Sequence, residues 1–529
     1  MNLQIKNNTR LQFLLLILFN ILFFILAVYS LPIKFDTNDD AAMCLIASGA
    51  FTGTPETHLV FINIVYGFVL AFFYKIYNGI EWYTVFFSII HIISLSITVY
   101  FFIKSNKSKL FNIISICLIY VLELTTIQNL QFTTTAAFAS FAGTLLLFKK
   151  KNIYNISGTI LFIIGTLIRF PSGMLVMLLM LPCFLYKYLL DKRKNKKEII
   201  FVIICICSGF IFHLIDKQAY KVKDWFYYSQ YNATRGYLLG NPNRRKIIND
   251  LPNDITINDY NLFLEHFIDG KHLDLTKLIE LKKLVENIPQ IEKNKNILTF
   301  INKNKLILLL IIITFALLFF HNRNHFKSLY ILSYFVFLFI ILLLISRDGI
   351  ISHRVFISIF FPIVFFLYNN VPPSVISKNY IYILIFVLFN FYFIYTLYNS
   401  KIRLNNNTKF IRNEQGMILE KVKKEEIKII GFKSDLLIEY LCSPFNIYKY
   451  FKDISLFGSG WFTNIPYNKG YFDSYLSIPD EDISLFIYNS HIPYITLIQY
   501  ALIENYAADT EIQIIAKTDN YSLIRFIRK

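Results

Sequence analysis

Long apolar runs alternate with short polar segments along most of this chain. A helix needs about 20 predominantly apolar residues to cross the hydrocarbon core of a bilayer. The runs that approach this length with almost no charge lie at residues 11–31, 82–103, 110–124, 131–148, 153–168, 171–190, 198–215, 305–320, 328–346, 351–369 and 380–399. The pattern therefore predicts eleven membrane-spanning helices.

A further apolar stretch, residues 58–77, decides the topology. If it crossed the membrane, the basic loop 104–109 would lie on the outer side. If it lies along the outer interface instead, all basic inter-helix loops fall on one side, as the positive-inside rule expects of cytoplasmic loops. These loops contain residues 6–10, 104–109, 149–151, 187–197, 323–327 and 378. We therefore expect an interfacial or re-entrant element at 58–77, a cytoplasmic N-terminus and an extracytoplasmic C-terminus.

The first apolar run is predicted to stay in the protein as a membrane span. Lys6 and Arg10 precede it, as basic residues precede the core of a signal peptide. However, residues 11–31 are longer than such a core, and no convincing small-residue cleavage site follows.

The chain is predicted to have two parts. Residues 1–400 form a transmembrane domain whose long outward loops are 32–81 and 216–304. In residues 401–529, strand-like segments at 427–431, 483–488 and 511–516 alternate with helix-like residues such as 494–506. The predicted fold class is an α-helical polytopic protein of the cell membrane, with interfacial helices in its first outer loop and a small C-terminal extracytoplasmic α/β domain.

Composition excludes several classes of protein. Of the 529 residues, 55% are hydrophobic and 17% are charged, against about 25% charged in a soluble domain. The net charge of +18 comes from lysines in separate short loops and not from one basic face, so nucleic acid is not expected as a partner. The six cysteines show neither metal-ligand nor disulfide spacing. Membrane lipid is therefore the main surrounding of this chain.

The most prominent polar motif is the acidic pair Asp39 and Asp40, just after the first span. Carboxylates beside a bilayer are costly unless they are solvated or functional. One could act as a general base while its neighbour orients it or binds a divalent cation such as Mg²⁺ or Mn²⁺. The alternative is a solvated loop whose aspartates cap the next helix.

Arginines at the outer span ends are candidates for binding a phosphate. Arg169 lies between two spans with no long loop to carry it into water, and a guanidinium binds phosphate bidentately. The alternative for Arg169 is a side chain that snorkels to the interface. Arg235, with Asn232, follows the aromatic segment 225–228 in the second outer loop and could contact a second phosphate or a sugar. The tyrosines of that segment are typical of an interfacial belt.

Other polar residues also lie at outward span ends. They are Glu56 and His58 in the first loop, Glu123, Gln128 and Gln131 near a short loop, and Arg347, Asp348, His353 and Arg354 between two later spans. The glutamate and glutamines could hydrogen-bond a sugar, and the last group could meet a charged substrate. The alternatives are loop surface and a local Arg347–Asp348 ion pair. His91, inside an apolar run, is expected to be a satisfied core histidine.

In the order of these residues the sequence resembles the membrane glycosyltransferases of the GT-C fold. These include the lipid A aminoarabinose transferases and the protein O-mannosyltransferases. In those families an acidic pair follows the first span, and interfacial helices with a Pro-rich, often His-bearing segment lead to the second. The order Asp39-Asp40, Thr54-Pro55-Glu56-Thr57-His58, element 58–77 and Trp82 matches this arrangement. The resemblance covers the whole chain in architecture, and its specific motifs lie in the first 90 residues.

The resemblance implies roles for the candidate residues. The implied site comprises Asp39 as catalytic carboxylate, Asp40 as its partner or a metal ligand, Arg169, Arg235 and Arg354 at the donor phosphate, and His58, Asn232 and His353 at the substrate. One departure is Thr133-Thr134-Thr135, where relatives often place a further acidic residue. This departure weakens the expectation of a fixed metal site.

The predicted function is transfer of a sugar from a polyprenyl-phosphate donor to an outer-surface glycan, lipid or protein acceptor. Asp39 would take the acceptor proton, and a single displacement would invert the anomeric centre. A flippase or transporter of lipid-linked sugars stays open as an alternative, although charges within spans and internal repeats, which would favour it, are not evident in the sequence. A polysaccharide polymerase or ligase also stays open, since it would use loop arginines such as Arg235, Arg244 and Arg245. A membrane acyltransferase is disfavoured because no His–Asp constellation stands out.

Overall fold

Apolar helices form most of the structure, and a small mixed sheet follows the last long helix. The computed structural model describes residues 9–190, 196–266, 273–288, 293–322, 324–348, 351–371, 380–431, 436–454, 456–458, 461, 465–467, 483–506 and 510–528. The helices of the transmembrane part are α1 Thr9–Ser30, α2 Asn38–Ser48, α3 Ile64–Ile76, α4 Trp82–Ile103, α5 Lys109–Gln128, α6 Phe132–Leu147, α7 Asn152–Ile168, α8 Phe170–Leu190, α9 Lys196–Ala219, α10 Lys223–Gly240, α11 Ile257–Leu264, α12 Leu275–Glu286, α13 Lys293–His321, α14 His325–Asp348, α15 His353–Asn370 and α16 Tyr380–Lys424. The remaining elements are β1 Lys34–Phe35, β2 Asn129–Leu130, β3 Ile429–Gly431, α17 Ile438–Leu441, α18 Ile447–Phe451, β4 Leu456–Gly458, β5 Ile483–Tyr488, α19 Pro493–Tyr506, β6 Thr510–Lys517 and β7 Tyr521–Arg528.

Each of the eleven predicted spans corresponds to one of these helices. Among the described helices, eight are long and apolar enough to cross a membrane, namely α1, α4, α5, α8, α9, α13, α14 and α16. Helices α6 and α7 are apolar but shorter, and α15, of 18 residues, lies within the same bundle. The polytopic helical fold predicted from the hydropathy pattern is confirmed.

The first outer loop contains two short helices. Helix α3 has 13 residues, about 20 Å of helix at 1.5 Å per residue, too short for a hydrocarbon core of about 30 Å. This length agrees with the interfacial or re-entrant element expected there. Helix α2 begins with the acidic pair and ends at Gly49, whose φ is +80°. A Cβ on Gly49 would lie 2.6 Å from the Thr54 carbonyl carbon, so only glycine fits this turn.

The C-terminal part is a small α/β unit carried on a continuous helix. Helix α16 has 45 residues and crosses the predicted domain boundary at residue 400 without a break. The sheet has the strand order β4-β3-β5-β7-β6, in which β3 runs parallel to β4 and β5, and β7 runs antiparallel to β5 and β6. The strands predicted near 427–431, 483–488 and 511–516 are β3, β5 and β6.

The basic loops meet at one end of the bundle. Lys104 and Lys149 line one cleft together with Arg10. Lys107 and Lys327 both donate hydrogen bonds to backbone carbonyls of residues 369–371. The opposite helix ends carry the acidic pair and the candidate arginines. A single buried apolar cluster there joins residues of α2 to residues of β3 and β5, so the C-terminal part packs on the first outer loop.

Candidate active site

Asp40 holds the elements of the site together. Its side chain is fully buried, and its Oδ1 accepts hydrogen bonds from the Tyr83 hydroxyl at 3.1 Å and from the Phe132 N–H at 2.9 Å. Its Oδ2 accepts from Thr37 Oγ1 at 3.0 Å. One carboxyl group thereby joins α2 to the starts of α4 and α6. Burial raises the pKa of Asp40 to about 8, although the bonds from Phe132 and Thr37 act in the opposite direction.

The surroundings of Asp40 do not fit the divalent cation expected there. Both carboxyl oxygens already accept hydrogen bonds from protein groups, and a group with a pKa of about 8 is mainly protonated at neutral pH. A metal ligand must be ionised. Within the described ranges, no group of three or more histidine, cysteine or acidic side chains is placed to hold a metal. The hydrogen bonds of Asp40 therefore serve to join α2, α4 and α6.

Asp39 faces a concentration of positive charge. Burial is the largest influence on this side chain and raises its pKa above the ordinary value. The indole Nε1 of Trp461 donates to Asp39 Oδ1 at 3.1 Å, which lowers the pKa in part. The positive charges that lower it further belong to Arg354, Arg169 and Arg235. These arginines come from the start of α15, the junction of α7 with α8, and α10, so the fold brings together four of the residues predicted for the site.

Arg169 is the single extended residue between α7 and α8. Its φ of −153° and ψ of 99° interrupt the helical path, and Pro171 follows in the first turn of α8, where a missing N–H costs no helical bond. Its Nη1 donates to the Phe61 carbonyl at 3.3 Å, and its guanidinium lies 5.3 Å from the Phe132 ring centroid and 5.9 Å from that of Phe61. Aromatic faces attract a cation without neutralising it, so Arg169 keeps donors for an anion.

Arg354 has a donor without an acceptor. Its Nη1 is buried and finds no hydrogen-bond partner in the described part of the chain. A buried donor left unsatisfied costs about 1–3 kcal/mol, which an anionic ligand would recover. His353, the preceding residue, is exposed at the first position of α15. The side chains of Arg347 and Asp348 lie outside the described residues, so the predicted ion pair between them stays a prediction.

Arg235 is held in place by Asn232. Asn232 Oδ1 accepts from Arg235 Nε at 3.1 Å and from Nη2 at 2.8 Å, both within α10. The amide oxygen predicted to contact substrate is thus used to orient the arginine. Burial lowers the pKa of Arg235, while the negative charge of Asp39 is among the influences that raise it.

His58 belongs to an aromatic cluster beside the site. Its ring stacks on Trp225 with centroids 4.3 Å apart and meets Tyr220 edge-on at 5.2 Å. Burial lowers its pKa, so the ring is neutral near pH 7. The neighbouring Val60 has a φ of +67°, which is rare for a β-branched residue, and the Tyr220 hydroxyl accepts its N–H at 2.8 Å. The contacts with Trp225 and Tyr220 therefore hold the His58 ring against the segment that follows α9.

A polar cleft of about 580 Å³ lies between the start of the first outer loop and the C-terminal part. Lys34, Arg412 and Glu439 line it. Burial raises the pKa of Glu439 to about 7, with the charge of Asp39 contributing in the same direction. Its Oε2 is buried and accepts no hydrogen bond from the part of the chain that the structure describes.

Other predicted polar residues are paired within the protein. Glu123 is inside α5, where it pairs with His91 Nδ1 at 2.9 Å, and Thr135 Oγ1 lies 2.9 Å from His91 Nε2. Glu123 is therefore not a sugar contact, whereas His91 is the satisfied core histidine that was expected. Gln131 Oε1 caps α6 by accepting from the Thr133 N–H at 2.6 Å.

Sequence reasoning missed Trp461, Phe61 and Phe132. The Trp461 ring meets Phe61 edge-on at 5.2 Å, and its carbonyl accepts from the Tyr228 hydroxyl at 2.9 Å. These aromatic rings form a wall around Asp39 and Arg169. Little in the sequence indicated a role for Trp461. It is one of only three tryptophans and stands outside any motif.

Comparison with known proteins finds structural similarity alone. No family model matches the chain, and no curated protein matches it. Two crystal structures of ArnT from Cupriavidus metallidurans are similar to it, one in the apo state with a TM-score of 0.42 and one bound to undecaprenyl phosphate with a TM-score of 0.40. Each is 9% identical in sequence, and each comparison covers 97% of both chains. ArnT is an aminoarabinose transferase of the GT-C fold, one of the families that the sequence resembles. With a TM-score below 0.5, this similarity assigns neither activity nor residue roles, which depend on the side chains described above.

Proposed function

We propose that this chain is a membrane glycosyltransferase that moves a sugar from a polyprenyl-phosphate donor to a hydroxyl group of an outer-surface glycan, lipid or protein. One observation supports it most directly. Asp39, an acid of raised pKa, faces Arg354, Arg169 and Arg235, which come from three separate elements at the ends of the spans. A base beside a cluster of cations is what removal of a hydroxyl proton and departure of a phosphate together require.

The arginines are the proposed site of the donor phosphate. Burial and the like charge of Arg354 lower the pKa of Arg169, so the two guanidinium groups are close enough to repel each other. An anion between them would remove this cost. It would also give an acceptor to Nη1 of Arg354, which has none among the described residues. Because both residues lie at span ends, the phosphate of a membrane lipid reaches them without leaving headgroup depth.

The proposed reaction is a single displacement. Asp39 accepts the proton of the acceptor hydroxyl as its oxygen bonds to the anomeric carbon. The bond between that carbon and the phosphate oxygen breaks, and the leaving phosphate keeps the electron pair and is stabilised by the arginines. The anomeric configuration is inverted, and the products are the glycosylated acceptor and polyprenyl phosphate. No step needs a metal ion, since the charge of the leaving group is met by Arg169, Arg235 and Arg354.

The polar cleft lined by Lys34 and Glu439 is the proposed entrance for the acceptor. It opens between the first outer loop and the C-terminal part, and the charge of Asp39 acts on Glu439 in its wall. The site lies at the opposite end of the bundle from the basic loops, which the positive-inside rule places in the cytoplasm. We therefore place the site and the C-terminal domain outside and the N-terminus inside.

The test is donor cleavage by purified protein in liposomes, with radiolabelled sugars on polyprenyl phosphate and a membrane extract as acceptor. Wild type should release polyprenyl phosphate and transfer the label, and Arg354→Gln should lower the rate at least about tenfold. The exposed Arg403 gives the matched control Arg403→Gln, expected to act like wild type. A protein that moves the label across the bilayer with the sugar–phosphate bond intact would be a flippase, and the proposal would fail.

A further inference from the structure

A cleft of about 770 Å³ opens at the end of the bundle opposite Asp39, between α1, α4, α6 and α7. Helix α4 starts beside Asp40 and reaches this cleft at Lys104, while α7 starts at the cleft and ends beside Arg169. The cleft is therefore separated from the candidate active site by the length of the bundle, and the proposed reaction makes no use of it.

Four cations surround the mouth of this cleft. They are Arg10 at the start of α1, Lys104 at the end of α4, and Lys149 and Lys151 between α6 and α7. The deeper walls are apolar and include Phe13, Ile17, Ile93 and Ile97. Ile17 lies seven residues beyond Arg10, and Ile97 lies seven residues before Lys104, which is about 10 Å along a helix axis in each case. The cleft thus has a charged mouth and an apolar interior of lipid-tail dimensions.

The cations at the mouth have polar and aromatic neighbours. No acidic residue is among the described residues that line the cleft. Lys104 Nζ donates to Gln12 Oε1 at 2.8 Å, and Lys149 Nζ lies 4.7 Å from the Phe101 ring centroid, contacts that leave both charges in place. Elsewhere at the same end, Lys187 pairs with Glu198 at 2.7 Å. Lys187 therefore has an acidic partner at this end of the bundle. The described residues that line the cleft include none for Lys104 or Lys149.

The surroundings of Lys149 disfavour its positive charge, and an anion nearby would relieve this. Burial lowers its pKa, and the like charge of Lys187 lowers it further. A negative group in the cleft would favour the charged lysine and offset both influences.

We propose that this cleft binds one anionic lipid, with its phosphate among Arg10, Lys104, Lys149 and Lys151 and its hydrocarbon chain along the apolar walls. A soluble anion would use the mouth alone, whereas the interior continues onto the lipid-facing surface of α1, where Leu14 is 56% and Leu18 61% exposed. Helix α1 packs on α4 and α5, so a lipid here would connect it to the loop between α6 and α7 as well. The lipid would act as a further packing partner for the first span, beside α4 and α5.

The test measures lipid binding to the purified full-length protein in nonionic detergent by isothermal titration calorimetry. The probes are dioctanoyl phosphatidylglycerol, dioctanoyl phosphatidylcholine and glycerol phosphate. The double variant Lys104→Gln/Lys149→Gln removes two cations from the mouth. Its control, Lys109→Gln/Lys150→Gln, removes two exposed lysines from the same loops that do not line the cleft. A third variant, Ile93→Trp, fills the interior and leaves the mouth unchanged.

The expected result is one phosphatidylglycerol bound to wild type and to the control, with affinity at least about tenfold weaker in the mouth variant. Ile93→Trp should weaken it as well, and neither phosphatidylcholine nor glycerol phosphate should bind comparably. Equal binding by the mouth variant and the control would show general surface attraction and overturn the proposal. Equal binding of glycerol phosphate, or full binding by Ile93→Trp, would show a phosphate site without a lipid chain and overturn it equally.

Discussion

The indole Nε1 of Trp461 donates a hydrogen bond to Asp39 Oδ1 at 3.1 Å, across a sequence separation of 422 residues. The bond joins the C-terminal part directly to the acidic pair of the first outer loop. Because the donor favours the ionised carboxylate, it offsets part of the pKa increase that burial causes in Asp39. The C-terminal part therefore completes the proposed active site as well as covering it.

Removal of this donor should change the pH dependence of the reaction. Trp461→Phe keeps a ring against Phe61 but loses the N–H, so the pKa of Asp39 should rise further. Since the base must be ionised, the rate of transfer should fall at low pH and recover at high pH. A hydrogen bond to a charged group is worth about 1.5–3 kcal/mol, so a shift of about one to two pH units is expected in the acidic limb of kcat/KM.

The control for this profile is Trp82→Phe. Trp82 Nε1 donates to the Tyr77 carbonyl at 2.7 Å, away from Asp39, and its loss should leave the acidic limb in place. A Trp461→Phe enzyme slowed equally at every pH would mean that the indole acts only by packing.

Arg354→Gln should weaken binding of polyprenyl phosphate without destabilising the fold. The arginine has a buried Nη1 without an acceptor among the described residues, so its removal gives up no protein hydrogen bond from that atom. Loss of a charged donor to phosphate should cost about 1.5–3 kcal/mol, or roughly 10- to 100-fold in Kd. Binding of polyprenyl phosphate and thermal unfolding measured on the same preparation separate the two effects. A lower Tm with unchanged Kd would assign Arg354 to packing.

Asp40→Asn should fold well, and Asp40→Ala should not. Asparagine keeps an oxygen for the Tyr83 hydroxyl and the Phe132 N–H, as the protonated carboxyl does. Alanine leaves both donors unpaired at a cost of about 2–6 kcal/mol. Between the ordinary aspartate pKa of about 3.9 and about 8, the folded state retains a proton on Asp40 that the unfolded state releases. The contribution of Asp40 to stability therefore falls as pH rises through this window.

The measurement is thermal unfolding in detergent from pH 4 to pH 8. Wild type should lose stability relative to Asp40→Asn as the pH rises, because asparagine does not titrate. If the difference in Tm between the two proteins stayed constant across this pH range, that result would contradict a raised pKa for Asp40.

Glu81 should determine how firmly α18 packs on the first outer loop. Its Oε1 accepts the Tyr448 N–H at 2.6 Å, and burial raises its pKa to about 7. Glu81→Ala should speed amide exchange in α18 by about tenfold, as expected from loss of a bond worth about 1–3 kcal/mol, and should leave β6 unchanged. Hydrogen exchange with mass spectrometry reads both elements in one experiment. Equal protection of α18 in both proteins would show that Glu81 does not connect the two parts.

The pattern of apolar runs along the chain predicted the helices well, because each run is long enough to require lipid or a buried position. The charge of the loops also predicted that 58–77 would not cross, in agreement with the 13 residues of α3. The continuation of α16 to Lys424 was less accessible. Its sequence becomes polar near residue 400 but contains no glycine or proline before Gly416, so the change marks the exit from lipid and not the end of the helix.

The sequence could predict only those site residues whose polar side chain is energetically unfavourable at the place in the chain where it occurs. Asp39, Arg169 and Arg354 stand out for that reason, since each lies at a span end with few neighbours that could solvate it. The roles of their partners depend on contacts distant in sequence. The bond from Trp461 to Asp39 and the use of Asp40 by Tyr83 and Phe132 leave no local pattern in the chain.

The assignment of Asp39 as the base is tested most directly by comparing Asp39→Asn with its matched neighbour Asp36→Asn in donor cleavage and in binding of polyprenyl phosphate. Asparagine keeps an acceptor for the Trp461 indole but cannot take a proton. Loss of a general base should lower the rate about 10²- to 10⁴-fold while polyprenyl phosphate still binds, and Asp36→Asn should transfer sugar like wild type. An Asp39→Asn enzyme as active as Asp36→Asn would contradict the assignment of Asp39 as the base.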